Sequence, residues 1–122
     1  MKKKESAENY LETILILSKR IGSVRSIDVA NEMNFTKASI SVAMKHLRED
    51  GCINVDNDGI ITLTDKGQEI AGMVYERHQI IAKILIALGV DEEIAYEDSC
   101  RIEHDLSQES FEKIKEFYEK NI

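Results

Sequence analysis

The sequence predicts a mainly α-helical protein, an N-terminal winged helix-turn-helix followed by an all-helical domain. Three observations lead there. The 122 residues contain no proline and only six glycines, so long helices with short connections are expected. Apolar residues recur at three- and four-residue spacing through most of the chain. That pattern breaks over residues 52–64, where "CINVD" and "IITLT" flank Asn57-Asp58-Gly59, a strong hairpin turn.

Residues 5–20, "ESAENYLETILILSKR", form the first expected helix. Ala7, Tyr10, Leu11, Ile14, Leu15 and Leu17 supply its apolar stripe, and Gly22 ends it. Ser26 is the expected N-cap of a second helix, with Ile27, Val29, Ala30 and Met33 inward. Asn34-Phe35 makes a tight turn. Thr36 caps a third helix whose buried side is Ile40, Met44 (or Ala43) and Leu47, and Gly51 closes it. Cys52 reads as core at the entry to the ribbon. Thr64 caps a long fourth helix stopped by Gly89. Asp91 caps a fifth and Ser107 a sixth. The expected division is a winged-helix domain over residues 1–66 and a helical metal-binding and dimerisation domain over 67–122.

Charge is unevenly placed. The chain carries −7 in all, yet residues 1–66 hold ten Lys/Arg against ten Asp/Glu. The first half can approach a polyanion; the acidic second half cannot unless a cation offsets its field. No run of 18 apolar residues occurs, and the basic "MKKK" start lacks the apolar core of a signal peptide. A cytoplasmic protein with no membrane partner is therefore expected. The two cysteines, Cys52 and Cys100, do not make a disulfide framework.

Two helices about a three- to four-residue turn, followed by a ribbon, match a DNA-reading motif. The third helix opens with small and polar residues: Thr36, Lys37, Ala38, Ser39, Ser41 and Val42. These let a helix sit close to base edges in the major groove. Lys45, Arg48 and an arm formed by Lys2 to Lys4 are placed to reach phosphates, and Ser26 is counted among the DNA-binding residues. Taken singly, each of these is an ordinary exposed position; the argument rests on the order of elements. The fourth helix is apolar over too broad an arc for one small core, so a second copy is the expected partner. A two-fold dimer would present two reading helices to a palindromic duplex.

Cys100-Arg101-Ile102-Glu103-His104 places a thiol, a carboxylate and an imidazole on one helical face, because positions three and four apart are neighbours. Asn9 and Glu12 share a face of the first helix, and His78 lies on the fourth. A mixed N/O/S set suits divalent first-row metals better than Mg²⁺ or Ca²⁺. A helical cysteine is also commonly a small buried hydrophobe, so spacing alone leaves both readings open.

The chain as a whole resembles the diphtheria-toxin-repressor family of metal-dependent transcriptional regulators, which includes the manganese transport regulators. The resemblance rests on "ENYLETI", "DVANEM…TKASISVAMKHLREDG", "ITLTDKG", "RHQIIAKIL", "LGVDEE" and "CRIEHDLS", and runs over residues 5–118. It implies metal ligation by Cys100, Glu103 and His104, with the cysteine of iron-type members. It also implies a second metal position using Glu12 and His78, as in manganese-type members. Where the family has Met or Asp on the first helix, this chain has Asn9, a departure from both types. The iron-type ancillary site falls on Tyr96 and Ala82 and is not kept. The linker and SH3-like third domain of longer members are not expected here.

The expected function is a homodimeric repressor of metal-homeostasis genes, with Fe²⁺ first and Mn²⁺ second as the activating ion. Metal binding would lower local negative charge, lock the first helix and fix the spacing of the reading helices. Its affinity should fall at low pH, where protons compete for Cys100 and His104. The alternatives are a thiol or redox sensor acting through Cys100 and a metal-independent winged-helix regulator. No nucleophile with a base and no organic-substrate motif is present, so an enzyme is not expected.

Overall fold

The computed structural model describes residues 2–122, with side chains from Ser6 onward. The Lys2 to Lys4 arm therefore lies outside the described side chains. Eight elements follow in order: α1 (Lys2–Ile21), α2 (Ser26–Met33), α3 (Lys37–Glu49), β1 (Ile53–Val55), β2 (Ile61–Leu63), α4 (Asp65–Ala87), α5 (Glu92–Asp105) and α6 (Gln108–Asn121). They form two compact units, Met1–Gly72 and Met73–Ile122.

In the first unit, α1 buries Leu11, Ile14, Leu15 and Leu17, and α3 buries Ile40, Met44 and Leu47. Between them lie Val29 and Ala30 of α2, with Val24, Cys52, Ile53 and Ile61 from the connections and strands. Most of the expected stripes are seen. Ile27 is the exception: it is 39% exposed rather than inward, and Met33 is only partly buried. Val29 and Ala30 fill the inner face of this two-turn helix, and Ile27 falls outside that arc.

The cap of α2 also differs from expectation. The N-cap is Arg25, in extended conformation, and Ser26 is the first helical residue. The backbone N–H of Arg25 donates to the Asp28 carboxylate at 2.9 Å, and Val24 pairs with Ile61 in an isolated antiparallel bridge. That bridge holds the chain extended up to residue 25, so the helix can begin only afterwards. A carboxylate three residues into the helix, rather than a hydroxyl at its start, satisfies the entry.

The turn before α3 is made by Asn34, whose backbone is left-handed at φ 57°. Phe35 N–H reaches Ala30 O at 3.0 Å and Asn34 N–H reaches Asn31 O at 3.4 Å, the paired bonds of a Schellman ending. Thr36 then accepts from Ser39 N–H at 3.2 Å and starts α3. Gly51, at φ 75°, ends α3 in the same way, with Cys52 N–H bonded to Leu47 O at 2.9 Å.

β1 and β2 pair antiparallel with Ile53 opposite Leu63 and Val55 opposite Ile61. The Asp56 carboxylate accepts from both Asp58 N–H and Ile60 N–H at 2.9 Å, which folds the loop around Gly59. Thr64 accepts from Gly67 N–H at 3.1 Å and donates to Gly51 O at 2.6 Å, capping α4 and tying it to the end of α3.

The second unit holds the later part of α4 with α5 and α6. Val74, Ile81, Ala82, Ala95 and Phe111 form its apolar centre. Asp91 and Ser107 cap α5 and α6 as expected.

Gly67 faces the wing so closely that a Cβ there would lie 2.0 Å from the Cys52 carbonyl oxygen. Gly72, also in α4, meets nothing within 4 Å. Gly67→Ala should cost about 1–3 kcal/mol in urea unfolding. Gly72→Ala should be neutral or gain up to about 1 kcal/mol.

Candidate metal centre and nucleic-acid interface

Cys100, Glu103 and His104 come together on α5, with one ligand-type atom of each within 4.8 Å of the others. Among the described residues this is the one group of three or more His, Cys, Asp or Glu side chains so gathered. Glu103 is 2% exposed, an uncommon location for a carboxylate. The His104 imidazole is also covered, and its Nε2 lies 3.2 Å from Glu103 Oε1. Cys100 is half-buried and not in a disulfide.

These donors fit a divalent first-row ion. Metal–sulfur and metal–nitrogen bonds of about 2.0–2.3 Å at tetrahedral angles place donors on one ion about 3.3–3.6 Å apart. The three atoms would close by about an ångström, which side-chain rotation on one helix face supplies. A thiolate, an imidazole and a carboxylate also form a set that borderline ions prefer over hard ones.

His78 on α4 is half-buried, and its Nε2 contacts Tyr96 O at 2.8 Å. A carbonyl only accepts, so this nitrogen donates. Ligating histidines are commonly oriented by such a backbone contact. The Tyr96 carbonyl also accepts from Ser99 Oγ at 2.9 Å, and the Tyr96 ring packs edge-on to His78 at 5.8 Å. Asn9 and Glu12 lie on α1 in the first unit, Glu12 buried and Asn9 partly so.

Arg77 was not singled out from the sequence, and it organises this region. Its Nη1 donates to the carbonyls of Glu103 and Leu106 at 3.1 Å each, and Nη2 donates to Gln108 Oε1 at 2.7 Å. Its guanidinium lies 5.1 Å from the centre of the Phe111 ring. One cation thus satisfies carbonyls at the end of α5 and fixes the start of α6. The available signal was weak, since Arg77 lies in the polar run Glu76-Arg77-His78-Gln79 of α4. Nearby, Glu76 and Lys115 pair at 2.6 Å on the surface. The hydrogen bond to Glu76 and its charge hold the Lys115 ammonium above its ordinary pKa. Its small contribution is complete below the unfolded value and fades as pH rises through the folded one.

In the first unit, Thr36, Lys37, Ala38, Ser39, Ser41, Val42 and Lys45 are all exposed along α3, and Ser26 is half-buried at the start of α2. Thr36 uses its hydroxyl for the cap and for a 3.0 Å bond to Ser39 Oγ. The wing tip carries Asp56 and Asp58, and Arg25 Nε donates to Asp58 O at 3.2 Å. An acidic tip repels phosphate. A groove of about 550 Å³ runs between α1 and α3, lined in part by Tyr10, Val42 and His46.

A helix-turn-helix with a short wing, joined in one chain to a helical unit bearing a Cys/Glu/His cluster, defines a metal-responsive DNA-binding regulator. Residues 3–59 match the N-terminal DNA binding domain of the iron dependent repressors. Residues 64–121 match the metal binding and dimerisation domain of the same repressors. The chain belongs to this iron-dependent repressor family of metal-dependent transcriptional regulators. It is 35% identical over 118 residues to an uncharacterised HTH-type transcriptional regulator of Methanocaldococcus jannaschii, covering 95% of this chain and 94% of that one. It is 30% identical to the transcriptional regulator MntR of Escherichia coli, covering 98% of this chain and 77% of the relative. The solved structure of the manganese regulator SloR superposes with a TM-score of 0.80 at 27% identity, over 91% of this chain and 52% of that chain. A manganese-dependent transcriptional repressor in complex with manganese has the same fold, with a TM-score of 0.83 at 23% identity, over 92% of this chain and 53% of that one. The chain thus spans about half the length of these two solved chains.

Arg77→Ala should lower the stability of the folded chain by about 2–3 kcal/mol, since charge-assisted bonds to three acceptors are lost together. Lys115→Met, which breaks the exposed pair with Glu76, should leave the unfolding midpoint nearly unchanged. Chemical denaturation of both variants checks the contrast.

Proposed function

We propose that this protein is a homodimeric transcriptional repressor whose affinity for DNA is set by a divalent metal, Fe²⁺ or Mn²⁺, held by Cys100, Glu103 and His104. The observation that carries the reading is the convergence of these three donors around a buried carboxylate. Buried charges are ordinarily paired or bound to metal. The bound ion would supply positive charge in the unit that holds most of the chain's net negative charge. The contact of His78 with the Tyr96 carbonyl supports it as a further ligand. Glu12 and Asn9 enter the set through the family resemblance.

On the DNA side, Lys37 and Lys45 supply phosphate contacts, and Thr36, Ala38, Ser39, Ser41 and Val42 face the bases. Ser26 stands at the first turn of α2, where a phosphate would meet backbone N–H groups. A second copy is the natural partner for the apolar surface of α4 and α6. Leu88 is 76% exposed and Phe117 59%, and a groove between these helices is lined by Ile81, Ile84, Leu85, Lys113, Ile114 and Phe117. Two copies would read a palindromic operator in the cytoplasm, and genes of metal-ion homeostasis are its targets.

Fluorescence anisotropy with a labelled duplex, performed anaerobically, tests the switch. Metal should tighten DNA binding at least ten-fold over chelated protein, and Glu103→Ala should abolish that gain. Equal binding with and without metal would reduce the protein to a metal-independent regulator. Cobalt(II) titration tests the ligand set: wild type should develop the near-ultraviolet absorption of a metal–thiolate bond. Cys100→Ser should lack that band and bind the ion about 10–100-fold more weakly.

A further inference from the structure

The outward face of α3 contains one large apolar side chain. Val42 is 57% exposed, whereas the other large apolar residues of the helix, Ile40, Met44 and Leu47, are all buried. Val42 edges the groove that α3 shares with Tyr10 of α1, yet more than half of it stays in water, where a β-branched helical residue gains little. Four residues earlier, on the same stripe, is exposed Ala38. Around them the exposed residues Lys37, Ser39, Ser41 and Lys45 are all polar or charged.

We infer that Val42, with Ala38, is a specificity-determining residue that selects the C5-methyl group of thymine in the major groove. The inference rests on the DNA-reading role proposed above. Valine neither donates nor accepts. Placed on the edge of A, G or C, it would strip water from base groups and return no hydrogen bond. Thymine alone presents an apolar group in the major groove, its C5-methyl. Ser39 and Ser41 hydrogen-bond to more than one base and cannot supply this discrimination. Ala38 and Val42 are about 6 Å apart along the helix axis, which keeps both contacts within one short stretch of groove. Each half-site should therefore hold a thymine opposite Val42, with the Ala38 contact in the same stretch.

The experiment begins with enrichment of bound sequences from randomised duplex DNA by the full-length protein with Mn²⁺. The enriched duplex is then remade with deoxyuridine at each thymine in turn. Uracil keeps the hydrogen-bonding edge of thymine and lacks only the methyl. At the Val42 position the change should weaken binding about four-fold per half-site, the worth of one buried methyl. Val42→Ser, a change at an exposed site, should bind the thymine and uracil duplexes equally. Val42→Gln should enrich a different base at that position. If the enriched sites show no fixed thymine, or if thymine and uracil bind alike at every position, the inference fails while DNA binding stands. If no duplex is enriched at all, the DNA-reading role fails and this inference with it.

Discussion

The second unit depends on how a carboxylate can be kept almost wholly out of water. Glu103 is buried at 2% exposure with an imidazole 3.2 Å away and a thiol in the same cluster. An ionised carboxylate in such a place needs electrostatic compensation and fixed geometry. The geometry comes from the ends of helices. Arg77 holds the Glu103 carbonyl from below while Asp91 fixes the first turn of the same helix. The cluster is therefore built on a rigid element with its backbone clamped at both ends, which is what a selective ion site requires.

The first unit solves a different problem, that of offering one helix to a partner. Asn34 in its left-handed turn, the Thr36 cap and the buried Ile40, Met44 and Leu47 fix the rotation of α3 about its own axis. With one face committed to the core, Lys37, Ala38, Ser41, Val42 and Lys45 are left to solvent. The bridge between Val24 and Ile61 joins the approach to α2 to the ribbon, so the wing and the helix pair form one body.

Much of this was legible in the chain because it was written in local chemistry. Thr36, Thr64, Asp91 and Ser107 all cap the helices they were expected to cap, and Asn57-Asp58-Gly59 turns the hairpin. The i, i+3, i+4 spacing of Cys100, Glu103 and His104 was enough to group them. What was missed depends on tertiary contacts. Ser26 looked like a cap, but the pairing of Val24 with a strand 37 residues later moved the cap to Arg25. Ile27 looked inward by periodicity on a helix too short for the pattern to decide. The reach of Arg77 to carbonyls 26 and 29 residues away leaves no trace in local spacing.

If the cluster on α5 controls DNA affinity, thermodynamic linkage makes the control reciprocal: DNA must tighten metal binding by the factor by which metal tightens DNA binding. The direct measurement is metal affinity, by competition with a chelating indicator, for the free protein and for protein saturated with its enriched duplex. The account predicts tighter metal binding in the complex by the same factor found for DNA, typically between about 5-fold and 150-fold. Identical metal affinity in the two states would contradict it, because no energy would then pass between the cluster and the reading helix.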